Sequence, residues 1–180
     1  MSHYHAKIWL PEEIEPKKQI DAIMAPWSEE TAGVELGFWD WYQIGGRWTG
    51  VHNPKYKPEE DPQNWEPCKL CKDDPGYRTW PNEGRIPCNG CSPITGSPRP
   101  GICLKWPTEW APVYCDIMKL DEVEDNLRCY TLIVGERVFH SKVYRRGQGY
   151  VEGGFDGDVK KKLKELGITG GFLATVDYHC

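Results

Sequence analysis

Residues 3–10 read HYHAKIWL and alternate two sets of side chains, His3, His5, Lys7 and Trp9 against Tyr4, Ala6, Ile8 and Leu10. A period of two is typical of a β-strand with one buried face, so this stretch is predicted to be the first strand. A helix is predicted to follow, because Ile20, Ile23 and Met24 recur at helical spacing. Pro16 stands where a first helical turn tolerates proline, and the helix is expected to end near Pro26.

A hairpin is predicted in the carboxy-terminal third of the chain. CYTLIV (129–134) and RVFHSKVY (137–144) flank Gly135-Glu136, a two-residue loop that suits a type II′ turn. The glycine-rich stretch 145–157 that follows is predicted to be a loop.

A helix and a strand are predicted after that loop. Asp158 is placed to cap a helix over VKKKLKEL (159–166), which Gly167 ends. The last stretch, GGFLATVDYHC (170–180), is predicted to be a strand. Its end is expected to carry three polar groups beyond the apolar part, namely Asp177, His179 and Cys180.

Residues 51–112 differ in kind from both flanks, because they contain 12 of the 15 prolines and few aliphatic side chains. Strands and helices longer than a turn or two are therefore not expected there. The flanks, 1–50 and 113–180, predict the α+β class, with an antiparallel sheet and two helices in two layers. A ferredoxin-like arrangement is one such fold. The predicted domains are a discontinuous α+β domain and an inserted proline-rich module.

Two cysteine pairs lie inside this insertion, CKLC with Cys68 and Cys71 and, sixteen residues later, CNGC with Cys88 and Cys91. Each pair can aim two thiolates at one point, and four thiolates complete a tetrahedron around zinc with bonds of about 2.3 Å. A redox dithiol and an iron–sulfur cluster are the alternatives. Four protein ligands leave no open position, so the predicted zinc is structural and contributes directly to folding of the insertion.

The other four cysteines carry weaker signals. Cys129 precedes a strand and is predicted to be a small buried hydrophobe. Cys180 stands beside His179, where it is a candidate nucleophile or ligand, although a terminal cysteine is more often simply exposed. Cys103 and Cys115 receive no assignment.

FWDWYQIGGRWTG (38–50) combines three tryptophans, a tyrosine and two adjacent glycines in thirteen residues. With Gly45-Gly46 as a two-residue turn, it is predicted to be a hairpin whose register follows from the loop length. The face assigned to the core carries Trp39, Trp41, Gln43 and Trp48. The opposite face suits an anionic or nucleotide-like ligand and carries Asp40, Tyr42, Ile44, Arg47 and Thr49.

A catalytic hypothesis joins this second face to groups in the later hairpin and near the carboxy terminus. An imidazole oriented by a carboxylate, with an arginine to stabilise negative charge, recurs in acid–base chemistry on phosphoryl or acyl substrates. The candidate catalytic residues are Asp40, Tyr42, Arg47, His140, Asp177 and His179. The alternative is a surface ion pair between Asp40 and Arg47 together with structural histidines.

Charge and hydropathy narrow the class of protein. The net charge of −5, from 22 basic and 27 acidic residues, argues against a globally basic nucleic-acid binder. No apolar run approaches the roughly 18 residues of a membrane span, and the amino terminus lacks the apolar stretch of a signal peptide. A cytoplasmic protein is expected, in which eight cysteines indicate metal or buried thiols before disulfides.

DWYQIGGRW (40–48), the hairpin at 129–140 with its glycine-rich sequel, and LATVDYHC (173–180) resemble a family of small proteins of tailed bacteriophages, notably those of actinobacteria. The matching residues are Asp40, Trp41, Tyr42, Gly45, Gly46, Arg47, Trp48, His140, Asp177 and His179. This resemblance implies a viral origin and the host cytoplasm, and no particular activity. The CNGC pair also resembles the zinc modules of DnaJ-type co-chaperones, but SPITG follows Cys91 where their repeated CxxCxGxG pattern would continue.

Two functional hypotheses follow. The first is a phage accessory protein that binds a host or defence component, either a protein or a single-stranded nucleic acid, through the zinc module. Bases could stack on tryptophans interleaved with cations, namely Trp65, Trp80, Trp106 and Trp110 with Lys69, Lys72, Arg78 and Arg85, unless these tryptophans form the module's own core. The second is an enzyme on a nucleotide or phosphate-containing substrate, with Arg47 binding the anion and His140 or His179 as acid or base.

Overall fold

The computed structural model of the protein describes residues 3–33, 37–53, 55–71, 74–91, 100–106, 109–110, 115–145 and 149–179. The chain divides into two compact units. We call 1–56 with 112–180 the sheet unit, and 57–111 the cysteine unit. Each is described by itself.

The described residues form three α-helices and twelve strands. The helices are α1 (Pro16–Met24), α2 (Glu29–Ala32) and α3 (Val159–Glu165). The strands are β1 (His3–Leu10), β2 (Trp41–Ile44), β3 (Trp65–Pro67), β4 (Tyr77–Trp80), β5 (Gly84–Pro87), β6 (Ile102–Leu104), β7 (Ile117–Lys119), β8 (Thr131–Val134), β9 (Arg137–His140), β10 (Lys142–Arg145), β11 (Gly149–Glu152) and β12 (Phe172–His179). Among these residues, no helix is long and apolar enough to cross a membrane.

The sheet unit is built on the long antiparallel pair β1 and β12, which are in register over eight residues each. β8 lies parallel to β1 on its other side, and β9 returns antiparallel to β8. The far side of β12 is shared by two short strands, since β7 pairs with Phe172–Ala174 and β2 with Val176–His179. Between these two strands, Thr175 makes two backbone hydrogen bonds of 2.8 Å. Its carbonyl accepts the Gly45 N–H, and its N–H donates to the Asp116 carbonyl.

Each face of this sheet has its own apolar core. Side chains alternate between faces along a strand, so Ile8 and Leu10 pack under α1 with its Ile20 and Met24. On the opposite face, α3 buries Val159 and Leu163 against side chains of β8 and β12. The chain is therefore of the α+β class. The predicted antiparallel sheet in two layers is wrong, because β8 lies parallel to β1, which makes the sheet mixed, and helices cover both of its faces. The ferredoxin-like arrangement is unconfirmed, because the sheet order is β2-β12-β1-β8-β9 and the two helices cover opposite faces.

Most elements with a strong local pattern form where the sequence predicts them. The first strand, α1, the hairpin β8–β9 and α3 are present, and Asp158 Oδ1 caps α3 by accepting the Lys161 N–H at 2.9 Å. Cys129 is buried as expected. Asp177 and His179 lie within β12 and not beyond it, while Cys180 falls outside the described residues.

The predicted loop over 145–157 is wrong in part. Gly149–Glu152 forms β11, which pairs antiparallel with β10. Residues 146–148 lie outside the described residues. Glycine-rich composition predicts irregular structure, but it does not exclude strands within the same stretch.

The predicted hairpin at 38–50 is also wrong. β2 pairs with β12, and the chain then enters a 3₁₀ turn at Gly46–Trp48 without forming a second strand. The predicted division of this segment into a tryptophan face in the core and an opposite ligand-binding face is therefore wrong as well. Trp39 and Tyr42 pack together toward the α1 core, with ring centroids 4.9 Å apart, whereas Trp41 is 41% exposed.

Two aspartates from distant parts of the chain explain why this segment turns away. Asp177 Oδ2 accepts the Arg47 N–H and Asp116 Oδ1 accepts the Gly50 N–H, each at 3.0 Å. Gly45 and Gly46 have φ of +72° and +57°, a region that favours glycine. A side chain at Gly46 would also bring its Cβ within 2.5 Å of the Asp177 side chain.

The cysteine unit consists of two short ribbons, β3 with β6 and β4 with β5. The strands among the described residues of this unit are three or four residues long, as expected for a proline-rich segment. A two-stranded ribbon is marginally stable alone, so another interaction must hold the unit together.

We expect Gly46→Ala to lower the free energy of unfolding of the sheet unit by about 3 kcal/mol or more, because backbone strain and collision with Asp177 act together. Gly135→Ala is the matched control, since Gly135 also has positive φ, at +59°, but open space around it. Gly135→Ala should lower the free energy of unfolding by about 1 kcal/mol. Denaturant unfolding followed by circular dichroism measures both, and equal losses would contradict the packing of the loop onto Asp177.

Candidate functional site

Four cysteines form a cluster at the centre of the cysteine unit. The Sγ atoms of Cys68, Cys71, Cys88 and Cys91 all lie within 4.8 Å of one another, and all four residues are buried. The Cys68 and Cys88 sulfurs are 3.7 Å apart, and those of Cys71 and Cys91 3.2 Å. A tetrahedron with metal–sulfur bonds of about 2.3 Å has edges of about 3.8 Å, so this spacing fits one metal ion.

The backbone around the cluster repeats one arrangement twice. Gly76 donates its N–H to Cys71 Sγ at 3.4 Å and accepts the Cys88 N–H at 2.8 Å. Gly101 donates to Cys91 Sγ at 3.3 Å and accepts the Cys68 N–H at 2.8 Å. Hydrogen bonds to sulfur stabilise thiolates, the form that binds metal. The cluster is therefore suited to an ion held by four thiolates.

This cluster can support structure but offers little for catalysis. Four protein ligands fill a tetrahedral ion and leave no position for a substrate. Cys103 packs against the cluster but is not one of the four. No disulfide joins any of the described cysteines.

A second set of polar groups lies on the α3-side face of the sheet unit. Lys7, Asp116 and Asp177 are each at most 3% exposed. The Lys7 ammonium donates to the Thr175 hydroxyl, and the two carboxylates bind the loop after β2. Buried charged groups need hydrogen-bond partners. These three residues therefore stabilise the loop after β2 and the edge of the sheet that β2 and β7 share.

Burial shifts the ionisation of two members of this set. Burial lowers the pKa of Lys7 to about 7, although Cys129 and Asp116 oppose the shift. Burial also raises the pKa of Asp116 to about 6, against its hydrogen bond from Gly50. Both charged forms are thus less favourable than in water.

Two histidines stand at the end of the same face. His3 and His179 are opposite one another on β1 and β12, and their ring centroids are 5.6 Å apart. His3 Nδ1 lies 2.9 Å from Asp177 Oδ1, and His179 Nδ1 lies 2.6 Å from Asp40 Oδ1. Each imidazole is therefore oriented by a carboxylate.

The structure divides the residues predicted to be catalytic. Asp40, Asp177 and His179 come together, and the Arg47 backbone joins them through its N–H while its side chain is exposed. Tyr42 and His140 lie on the opposite face, because Tyr42 pairs with Tyr178 and His140 with Thr131.

The partners of these last two residues are structural. The Tyr42 hydroxyl donates to the Asp21 carboxylate, and burial raises the pKa of Tyr42, as does that bond. His140 Nδ1 lies 2.9 Å from the Thr131 hydroxyl, and its ring meets Phe38 edge-on at 5.0 Å. The predicted grouping of Tyr42 and His140 with His179 is thus corrected, because strand parity places them on the other side of the sheet.

Sequence reasoning missed three polar residues of this face, His3, Lys7 and Asp116. The alternation in HYHAKIWL places His3 and Lys7 on one face, and that signal could have linked His3 to the terminal DYH. Nothing near Asp116 marks it as a buried carboxylate, since it precedes a three-residue strand.

Metal content tests the four-cysteine assignment. Cys68→Ser should lower the bound metal per chain by at least about tenfold, because one of the four ligands is lost. Cys103→Ser is the matched control, since Cys103 touches the cluster without belonging to it, and it should retain the metal. Elemental analysis of both purified variants gives the result. Equal metal loss in the two would contradict the assignment.

The pH dependence of stability tests the buried lysine. Between about pH 7 and its usual pKa of 10.5, Lys7 is protonated in the unfolded chain and largely deprotonated in the native one. Lys7 should therefore make the free energy of unfolding rise with pH by about 1 kcal/mol per unit there. Lys7→Met should remove this contribution, whereas exposed Lys17→Met should keep it. Identical profiles for wild type and Lys7→Met, from denaturant unfolding at pH 7 to 9, would refute the burial effect.

Comparisons of the chain with protein-family models, with curated proteins and with solved structures found no match.

Proposed function

We propose that the protein is a zinc-stabilised accessory protein that binds a protein partner through the cysteine unit. The resemblance to phage proteins supports a viral origin, a host or defence component as the target, and action in the host cytoplasm. The observation that carries the proposal is the β4–β5 ribbon, on which Tyr77, Trp80 and Arg85 are exposed and Arg78 is half-buried.

The ribbon presents two arginine–aromatic pairs. The Arg85 guanidinium lies 3.4 Å from the centroid of the Tyr77 ring, and that of Arg78 lies 4.9 Å from the Trp80 ring. Tyr77 is 37% and Trp80 47% exposed. Residues 77 and 80 point to opposite faces of β4, so both faces of the ribbon carry one pair.

The cysteine unit is rich in exposed apolar side chains. Five of the nine large apolar side chains that are exposed among the described residues belong to it, namely Leu70, Tyr77, Trp80, Leu104 and Trp106. This share is high for a unit of less than a third of the chain. Such concentration favours an interaction surface over scattered surface residues.

The four tryptophans singled out in the sequence divide into two pairs. Trp80 and Trp106 are exposed, and Trp106 is the most exposed large apolar side chain among the described residues at 78%. Trp65 and Trp110 are half-buried, and their indole N–H groups donate to the carbonyls of Glu59 and Lys105. Trp80 and Trp106 are therefore available to contact a partner, whereas Trp65 and Trp110 stabilise the cysteine unit itself.

A protein partner fits the charge of the unit better than a nucleic acid does. Residues 57–111 contain seven basic and eight acidic residues, so the unit offers no net positive charge to phosphates. Arg85 is also paired with Asp74, at 2.6 Å. Tyrosine, tryptophan and arginine are the residues that contribute most at protein–protein interfaces.

Zinc is the ion that the cluster suits best. Four thiolates with tetrahedral spacing are typical of structural zinc. Zinc has no redox chemistry, and its binding can stabilise a small unit whose strands are short. Metal analysis of the wild-type chain should give about one zinc per chain under this assignment.

The partner proposal is tested by Trp80→Ala with Ile14→Ala as control, because Ile14 is an exposed apolar residue of the sheet unit. Each purified variant would serve as bait in an actinobacterial cell extract, with quantitative mass spectrometry of the captured proteins. A partner held by Trp80 should be recovered at least about tenfold less with Trp80→Ala, since interface tryptophans often contribute 2 kcal/mol or more. It should be unchanged with Ile14→Ala.

Two outcomes would contradict the proposal. One is a set of captured proteins that does not differ between wild type and Trp80→Ala. The other is tight binding of a labelled oligothymidine that weakens steeply with salt and is lost in Trp80→Ala, which would make the partner a nucleic acid.

A further inference from the structure

We propose that the protein partner presents an extended, acidic segment to the cysteine unit, and that this segment docks on the side of the β4–β5 ribbon that carries Arg78 and Trp80. This inference rests on the binding function proposed above and adds the chemistry of the partner's contact residues. The recognised pattern is a carboxylate side chain and an apolar side chain two positions apart.

The register of β4 and β5 defines this side of the ribbon. Arg78 lies opposite Ile86, and Trp80 lies opposite Gly84. Side chains alternate between the two sides along a strand, and residues directly opposite one another share a side. We call the side with Arg78, Trp80, Gly84 and Ile86 the Arg78 face. Arg85 lies on the other side, because it is opposite Thr79.

The Arg78 face has open space beside the Trp80 ring. Trp80 is 47% exposed, and the residue opposite it, Gly84, is exposed as well. A Cβ added at Gly84 would meet nothing within 4 Å among the described residues, apart from its own chain neighbours. An apolar side chain of a partner can therefore lie at Gly84 and against the exposed indole.

Arg78 is the cation of this face. Its guanidinium carbon lies 4.9 Å from the centroid of the Trp80 ring. It forms no ion pair within the described part of the chain, and its Nε is buried without a hydrogen-bond acceptor. Stacking on an indole orients a guanidinium but gives its N–H groups no acceptor. A carboxylate can accept hydrogen bonds from both Nη groups, and such charge-assisted pairs are strong.

The other charged groups of the ribbon do not offer the same site. Arg85 donates to Asp74 through Nε at 2.6 Å and through Nη2 at 3.2 Å, so its charge is already balanced. Glu83 lies on the turn between the strands, outside the strand positions of the Arg78 face. That face therefore offers one unpaired positive group, which favours an acidic segment over a basic one.

Strand geometry sets the spacing within the segment. Arg78 and Trp80 are two residues apart on one strand and point to the same side. In an extended segment lying on this face, alternate side chains also point the same way and are about 7 Å apart. A carboxylate at Arg78 and an apolar group at Trp80 therefore occupy positions separated by one residue. Extended segments are commonly recognised through alternate side chains.

An array of random peptides of about twelve residues, probed with the labelled full-length chain, tests this pattern. Bound peptides should be enriched about threefold or more in an acidic residue two positions from an apolar one. Arg78→Gln should weaken binding of the best such peptide by about tenfold or more, and Arg78→Lys by less, since lysine keeps the charge but not the fork.

A double-mutant cycle connects Arg78 to the acidic residue of that peptide. Changing the peptide's carboxylate to its amide should weaken binding to the wild-type chain by about tenfold, and binding to Arg78→Gln by less than about twofold. Arg137→Gln is the matched control, because Arg137 is an exposed arginine of the sheet unit and its loss changes the net charge equally. It should leave binding unchanged. Unchanged circular dichroism and thermal unfolding show that each variant is folded.

Several outcomes would overturn the inference. Bound peptides could show no acidic preference, favour basic residues, or keep the acidic preference with Arg78→Gln. No peptide could bind at all, or the chain could form a dimer that Trp80→Ala abolishes, which would make a second copy the occupant. The binding function itself is judged separately by the Trp80→Ala capture experiment, which does not depend on the charge of the partner.

Discussion

Two buried carboxylates hold the sheet unit together at its least regular point. Asp177 and Asp116 come from β12 and from the residue before β7, and each accepts a backbone N–H of the segment after β2. The carboxylates replace the hydrogen bonds that a returning strand would have made. Glycines with positive φ allow the backbone to approach them, and the alternation of side chains along β12 then fixes which groups share a face with Asp177.

The fold could be predicted where the signal is local and failed where it is not. The alternation in β1, the two-residue loop of β8–β9 and the Asp158 cap of α3 each depend on neighbouring residues. The hairpin expected at 38–50 had an equally good local pattern. It fails because its hydrogen-bond acceptor Asp177 lies 130 residues away from Arg47 in the chain, and such a partner is not readable from spacing.

The candidate sites show the same division. Cysteine spacing was enough to predict which four cysteines cluster, because two CxxC pairs carry their own geometry. The twofold repetition of backbone hydrogen bonds around them is not readable from the sequence, since Gly76 follows Cys71 by five residues and Gly101 follows Cys91 by ten. In the sheet unit, the structure brings Asp40, Asp177 and His179 together, as the sequence predicted. The position of His3 beside them depends on the β1–β12 register, and the position of Tyr42 and His140 on the other face depends on strand parity, neither of which is readable from the sequence.

The two short strands that share one side of β12, β2 and β7, have a consequence for association between molecules. An exposed sheet edge is a template on which another chain can add a strand, and the risk grows with the length of uninterrupted backbone. Here the edge consists of β2, of four residues, and β7, of three, with the turn at Gly45 between them. Neither piece is long enough to recruit a strand in stable register, so the shortness of β2 and β7 disfavours edge-to-edge aggregation at this border of the sheet.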